Sequence, residues 1–541
     1  MNYSPSAVSK CWERENGAAK WVRVEQRVLM HRIARKNLGA RRRKEGQVRL
    51  RPIQRDQLCW HMLDVERLID EGHPARAIWS FVGRLDLSAF LEPIDSRECQ
   101  AGRPAFDPQL LISLWIYAYS RGVGSAREIS RRCEYEPPFQ WLTGLDSVNY
   151  HSLSDFRIAH QQALDELFTQ VLGLLSAEGL ISLERVTQDG TKIEAKAAQR
   201  SFTKEQRIRA ALAEAREQVE ALRSEVTDEL SARSRKAQDR ARRERVDRLE
   251  LALAEFERIK AAKPPGYRQT SKQQTGTSIT DPEARIMKQG TGQHYGLSYN
   301  VQLTTDAAAS VVVAAAVSQI APDYEHLIPA VEQVERRLGA KPQQVIVDAG
   351  YSSRQNIVEL NAKGVEMVGS WVQSDGRVKH RFARVGVTEG FLPSMFKYDQ
   401  STDTYRCPEG KLLRRHGDVD RPGRVMRTYR ALQTDCRHCP SRTQCYSGRG
   451  PRYGRSIVIT LEDPVVTAYR ARMKTPDADR LRRLRGQVAE FPNAWIKEKL
   501  GLRRFHVRGL AKARSEALWA VLTYNLQQWI RICWRPRFAA T

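Results

Sequence analysis

The chain contains no run of about 18 consecutive apolar residues, and Met1 is followed by a polar, Arg-rich stretch without the apolar segment of a secretory leader. These absences argue against a helical membrane span and set the expectation of an intracellular, cytoplasmic protein. Cysteine is scarce and odd in number, nine residues in 541, which argues against an extracellular disulfide framework. Negative charge is also in short supply, and the formal net charge is +26. A surplus of that size points to a polyanionic partner, of which nucleic acid is the commonest. Apolar residues make up 41%, enough for most of the chain to fold, and the length allows roughly two to four domains.

The basic surplus is uneven. Residues 1–51 hold 14 Lys/Arg against 4 Asp/Glu, with Arg41-Arg42-Arg43-Lys44 inside them, and read as a basic arm that could follow phosphates or be a solvated tail. Residues 52–180 read as all-helical. Apolar residues recur at helical spacing in Ala77, Ile78, Phe81 and Val82, and again in Leu110, Leu111, Leu114, Trp115 and Tyr117. Ser125 is an N-cap candidate, Pro137-Pro138 a breaker, and Ser152 or Ser154 a cap for a helix from Asp155. Short helices with Arg127, Arg131, Arg132 and Arg157 exposed would suit a helix-turn-helix-like DNA reader, with plain three-helix packing as the rival.

Near residue 184 the period changes to that of a strand, through Val186 and Gln188 into Asp189-Gly190. Residues 203–262 then turn charged and helical. Ile208, Leu212, Ala215, Val219, Leu222 and Val226 mark a coiled-coil seam, continued by Leu249, Leu253 and Phe256. The pattern predicts an inserted hairpin of two helices, structural or dimer-forming. Strands resume over Tyr295–Leu303 and Val311–Val317, a helix covers His326–Leu338, and Val345–Val347 ends in Asp348-Ala349-Gly350. That order predicts an α/β core with a mixed sheet over 181–530, and 531–541 as a tail.

Two aspartates at strand ends, each followed closely by glycine, could share a hard, oxygen-seeking cation if their strands are neighbours. A third carboxylate would allow two ions, the arrangement that serves phosphoryl transfer. Alone, an Asp-Gly is more often a turn. Glu490 lies among Arg485, Lys497, Arg503, Arg504, His506 and Arg508; Glu490, Ala494 and Lys497 share one helical face, which could equally be a solvated face. Cys407, Cys436, Cys439 and Cys445 cluster between 385 and 450, with one C-x2-C pair. Four thiolates in this pattern suit a structural Zn²⁺, with His438 as an alternative ligand and reduced, unligated thiols as the bland reading.

Taken in order, these motifs resemble those of the DDE transposases of bacterial insertion sequences. They are Val186-Thr-Gln-Asp189-Gly-Thr-Lys-Ile-Glu-Ala195, Val345-Ile-Val-Asp348-Ala-Gly-Tyr-Ser352 and Arg485-Gly-Gln-Val-Ala-Glu490-Phe-Pro-Asn-Ala-Trp-Ile-Lys497. Arg504-Phe-His-Val-Arg-Gly509, Tyr524-Asn525-Leu526, Asp281-Pro-Glu-Ala-Arg285 and Tyr299-Asn-Val-Gln302 are similar too, as is His73-Pro-Ala-Arg-Ala-Ile78 in the helical part. The likeness covers roughly residues 52–530, and includes a Cys-rich insertion. Family members carry Val-Glu and then Phe-Gly where this chain has Ala489-Glu490-Phe491-Pro492-Asn493, and Glu498 and Glu516 are the alternatives for the third carboxylate.

The resemblance implies an RNase H-like catalytic core preceded by an all-helical DNA-binding domain, with coiled-coil and Cys-rich β insertions. Asp189, Asp348 and Glu490 would hold two Mg²⁺ (or Mn²⁺) ions. Arg485, Lys497, Arg504, His506 and Arg508 would contact DNA. The implied partners are double-stranded DNA, both transposon ends and target, and a second copy of the chain as a homodimer. A catalytically decayed DNA-binding protein and a stand-alone nuclease are the rival readings.

Overall fold

The computed structural model describes residues 14–15, 18–19, 62–96, 104–224, 232–263, 275–290, 294–370, 382–421, 424–445 and 454–538. It divides into two compact units, Met1–Leu63 and Asp64–Thr541. In the first, the described residues are a short antiparallel ladder, Arg14–Glu15 on Ala18–Ala19, and Met62–Leu63. The basic run at 41–44 lies outside the described residues, as does Val226 of the predicted seam.

In the second unit, capping chemistry decides where the first helices start. They are α1 (Pro74–Val82), α2 (Pro108–Ser120), α3 (Ala126–Arg132), α4 (Pro137–Thr143), α5 (Tyr150–Ala159) and α6 (Gln161–Ala177). Proline opens α1, α2 and α4, where its missing N–H is not needed. Asp107 caps α2, its carboxylate accepting from Gln109 N at 2.7 Å. Ser125 caps α3 as expected. Pro137-Pro138 starts a helix rather than breaking one. The helix expected from Asp155 starts at Tyr150, because Asn149 caps it by accepting from His151 N at 2.8 Å.

A six-stranded mixed sheet follows, built from β1 (Arg185–Glu194), β2 (Arg285–Lys288), β3 (Tyr295–Asp306), β4 (Val312–Ser318), β5 (Gln344–Val347) and β6 (Glu366–Gly369). Its order is β6-β5-β1-β3-β2, with β4 also paired to β3. β3 runs antiparallel to both β1 and β4, while β5 and β6 run parallel to β1. Helices α9 (Leu327–Leu338) and α10 (Arg354–Ala362) provide the crossovers.

The C-terminal helices are α11 (Pro464–Arg472), α12 (Pro476–Val488), α13 (Glu490–Glu498) and α14 (Leu510–Trp529). Helix α14 is buried on nearly every side, the mark of a helix with no solvent face. It packs on α2, α6 and β4, so the helical part and the sheet share one hydrophobic core. Asn525 explains part of the Tyr-Asn-Leu motif. Its side chain accepts from Val312 N at 2.9 Å and donates to Val312 O at 2.8 Å, which satisfies backbone groups on β4, a strand hydrogen-bonded within the sheet only to β3.

Between β1 and β2, helices α7 (Glu205–Ser224) and α8 (Ala232–Ala261) pack on each other, Ile208 against Ala252 and Phe256, and Leu212 and Ala215 against Leu249. Between β6 and α11 lies a separate five-stranded antiparallel sheet, of strands β7 (Lys397–Asp399), β8 (Thr404–Arg406), β9 (Leu412–Arg421), β10 (Arg424–Ala431) and β11 (Ser456–Glu462). It has its own small core of Phe396, Leu413, Tyr429, Ala431 and Ile457. No helix among the described residues is long and apolar enough to cross a membrane.

Candidate active site

Asp189 is not at a strand end, as its Asp-Gly context suggested, but is the fifth residue of ten in β1. What ends there is its neighbour. β5 pairs with β1 only over Arg185–Thr187 and stops at Val347. Continuing that register by two residues sets Asp348 beside Asp189, at the point where β1 loses its partner on that side. Burial pushes the Asp189 carboxyl above its ordinary range; the charge of Arg485 and the N–H of Gly190 oppose this, and nearby Asp348 adds to it. Asp348 is itself oriented by its own turn, its Oδ1 accepting from Gly350 N at 2.7 Å.

The third carboxylate arrives on a helix, and proline decides how. Pro492 has no N–H to give Val488, so a continuous helix would lose a bond there. The chain instead closes α12 at Val488 and restarts α13 at Glu490, with Pro492 in the first turn. Arg485, from the last turn of α12, reaches both acids. Its NH2 donates to Asp189 Oδ1 at 3.1 Å and its NH1 lies 3.8 Å from Glu490 Oε1. Glu490 is otherwise exposed, its side chain 66% accessible.

Asn493 was not singled out from the sequence. It is buried, and its Nδ2 donates to Asp189 Oδ2 at 3.0 Å and to Ala489 O at 3.3 Å. The signal for it was present: Glu490, Asn493 and Lys497 stand at i, i+3 and i+7, one helical stripe. Lys497 also sits close to Asp189, and burial lowers its ammonium below the usual lysine range, with Arg503 adding to this and Asp189 opposing it.

On the other face of β1, Gly190 is required by close packing. A Cβ there would come within 2.3 Å of Gln302 Nε2 and 2.8 Å of Asp323 Oδ1. Gln302 donates to Asp323 at 2.9 Å and accepts from Gln188 at 2.8 Å and from the Tyr351 hydroxyl. Lys192 completes the network with a 3.0 Å bond to Asp323. These bonds tie β1 to β3 and to the turn after Asp348, and thereby hold the two aspartates on a rigid base.

The remaining predicted residues separate into groups. Arg504 pairs with Glu194, its Nε donating at 2.9 Å. His506 is held by Glu516, which accepts from its Nδ1 at 2.7 Å and from its backbone N at 2.8 Å. Arg508 is exposed. Glu498 is paired with Arg503 on the surface, whereas Glu516 is fully enclosed and faces Arg157, so neither joins Asp189. Arg157, expected at the surface, is buried for the same reason. Arg131 and Arg132 bind Glu128, and Arg127 lies over the Tyr150 ring. Asp281 and Glu283 of the Asp-Pro-Glu motif accept from Gly509 N and Leu510 N at 3.2 and 2.8 Å, and so cap α14.

Cys407, Cys436 and Cys445 pack on the small core of the five-stranded sheet, and Cys439 lies within electrostatic reach of Cys436 and Cys445. All four are free thiols. Cys407 Sγ accepts from Lys411 N at 3.2 Å and Cys436 Sγ from Arg455 N at 3.3 Å. Burial pushes the Cys445 thiol up to about 11, with Arg455 opposing the shift.

Among the described residues, no three His, Cys, Asp or Glu side chains stand close enough together to hold a metal ion as placed. In kind, the carboxylates fit a hard divalent cation: the donor set is all oxygen, and Asn493 Oδ1 is buried beside it with no hydrogen-bond partner. In arrangement, the Arg485 guanidinium is the cation between Asp189 and Glu490.

Residues 406–530 match the family model of a transposase DDE domain, and residues 63–159 match that of a transposase domain (DUF772). Glu490 lies inside the first match; Asp189 and Asp348 lie between the two. No curated protein matches the chain. A solved structure that matches is a cryo-EM structure of the piggyBac transposase synaptic complex with hairpin DNA. The two chains are 8% identical, the match covers 86% of this chain and 74% of that one, and the TM-score is 0.27.

Proposed function

The chain belongs to the DDE transposases, and from that premise we propose that it is the transposase of a bacterial insertion sequence. It would bind the terminal inverted repeats as a homodimer, one copy at each end, in the cytoplasm. It would then cleave a strand and transfer the resulting 3′-OH to target DNA. The observation that carries this reading is that Asp348, just past the end of β5, falls beside Asp189 of the neighbouring parallel strand, and that Arg485 reaches both Asp189 and Glu490. Three antiparallel strands followed by two parallel to the first also support an RNase H-like core.

Asp189, Asp348 and Glu490 would hold Mg²⁺ or Mn²⁺, which when bound polarises the scissile phosphate and activates the attacking oxygen. Asn493 would orient Asp189, and the polar network under Gly190 would hold its strand fixed. Arg485 would leave the carboxylates as they take up metal and become available, with Lys497, to offset phosphate charge. Arg504, His506 and Arg508 would lie along the DNA backbone.

Strand cleavage of a duplex carrying the element's own terminus, with Mg²⁺, tests this reading. Nicking at the terminus by the wild type, lost in Asp348→Ala and Glu490→Ala, is the expected result. Specific binding without cleavage would favour the decayed, DNA-binding alternative. Cleavage without any joining to target DNA would favour the stand-alone nuclease.

We also propose that Cys407, Cys436, Cys439 and Cys445 hold a structural Zn²⁺ for the five-stranded sheet. Amide N–H bonds to Cys407 and Cys436 are of the kind that stabilises thiolates. About one zinc per chain is expected by atomic absorption, falling to near zero in Cys436→Ser/Cys439→Ser. Full zinc content in that variant would rule the site out.

A further inference from the structure

Cations from three separate segments converge where the α7–α8 hairpin meets the sheet. Lys196 stands just past β1, and its Nζ donates to the His506 carbonyl oxygen at 2.5 Å. Arg508, two residues beyond His506, donates through Nε to the Lys196 carbonyl oxygen at 3.4 Å. Arg248 comes from α8, and helical period sets its direction. Arg248, Ala252 and Glu255 form one stripe, at spacings of four and three. Ala252 is buried against Ile208 and Phe256, and Glu255 is bonded to Arg285 at the start of β2. The stripe therefore faces inward, and Arg248 with it.

Among the described residues no direct ion pair neutralises this cluster; the acids acting on it are Glu516 on Lys196, Glu244 on Arg248, and Asp281 near Arg508. Among the described residues, the ion pairs of the region join Arg504 to Glu194, Arg245 to Glu214 and Arg285 to Glu255, and none includes Lys196, Arg248 or Arg508. Arg248 Nε is sealed from solvent without a hydrogen-bond partner. Burial, and then the like charge of Arg508, push both Arg248 and Lys196 below their ordinary values. Of the three, Arg248 is the partly buried one and Lys196 and Arg508 are exposed, and like charges drawn together without a direct ion pair favour an added anion. A basic track also leads away from the cluster, since residues 233–248 hold 8 Lys/Arg against 3 Asp/Glu.

We propose that this seam binds the phosphodiester backbone of DNA, with Arg248 of the hairpin and Lys196 and Arg508 of the sheet region contacting one phosphate or adjacent ones. The inserted hairpin is then a DNA-binding arm, and α8 continues the strand's path away from the carboxylates. The inference rests on the DNA-binding reading above, and salt dependence separates the two. Each phosphate contact adds about 0.9 to the slope of log K against log salt on duplex DNA.

The test is binding of a fluorescently labelled duplex, taken from DNA flanking the coding sequence, to the full chain across a series of KCl concentrations. Arg248→Gln is expected to lower the slope by about 0.9, and Lys196→Gln/Arg248→Gln/Arg508→Gln by about 2 to 3. Arg480→Gln, on exposed α12, serves as the control and keeps the wild-type slope. Circular dichroism checks that the variants fold. An unchanged slope in folded Arg248→Gln overturns the hairpin's part, and an unchanged slope in the triple variant overturns the site. Failure of the wild type to bind any duplex would overturn the transposase reading, and this inference with it.

Discussion

Asp189→Asn is expected to lose metal-dependent strand cleavage by at least ~10³-fold while melting at or above the wild-type temperature. Both halves follow from one geometry. Asp189 is a largely buried carboxylate, raised in pKa by burial and then by Asp348, so folding pays to keep its charge there. Arg485 and Asn493 return part of that cost through bonds of 3.1 and 3.0 Å. Asparagine has nearly the same shape and removes the buried charge, so the fold loses little and can gain. Metal binding, in contrast, needs the anionic oxygens that the amide lacks. Single-turnover cleavage and thermal unfolding, measured on the same preparation, check both halves. Activity within tenfold of wild type would remove Asp189 from the site. An inactive variant that melts well below wild type would mean that the loss was structural.

The largest effect on stability is expected at Glu516, far from the carboxylates. Glu516 is fully enclosed in α14, where it accepts from the Tyr119 hydroxyl at 3.2 Å and faces Arg157 NH1 at 3.5 Å. Arg157 lies over the Trp115 ring, 4.7 Å from its centroid, and donates to Gly124 O at 2.9 Å. The cluster joins α2 and α5 to α14, and thus the helical part to the sheet region. Glu516→Ala leaves a buried guanidinium without its counter-charge and is expected to cost about 3–5 kcal/mol, a large share of an ordinary folding free energy. Urea denaturation measures it. Arg157→Met/Glu516→Leu should recover most of the loss, because replacing both charges by apolar groups removes the uncompensated ion. Equal destabilisation in the single and double variants would show that packing, and not charge, holds this junction.

Local chemistry carried much of this architecture into the sequence. Strand period and β-branched runs located β3, β4 and β5, and the 4,3 spacing of Ile208, Leu212 and Ala215 located the face on which α7 meets α8. Each signal is short-range, because backbone dihedrals and side-chain direction repeat every two or 3.6 residues. The same locality explains the misplacements. An Asp-Gly pair reads as the end of a strand, yet the bend in pairing at Asp189 is made by the end of β5, more than 150 residues away. Arg157 reads as an exposed helical arginine until Glu516, which is equally enclosed, meets it from α14.

By itself, then, the sequence determined the kinds of group available: three acids in Asp189, Asp348 and Glu490, a basic surround, a thiol cluster, and the helices and strands that carry them. Tertiary structure alone decided their partners. Arg485 and Asn493 reach Asp189 across 296 and 304 residues of chain, and Arg248 comes within electrostatic reach of Arg508 only because the hairpin folds back onto the sheet region. Pairings of that kind depend on packing the whole core at once. Local period sets which face of an element is apolar, but not which distant element will cover it.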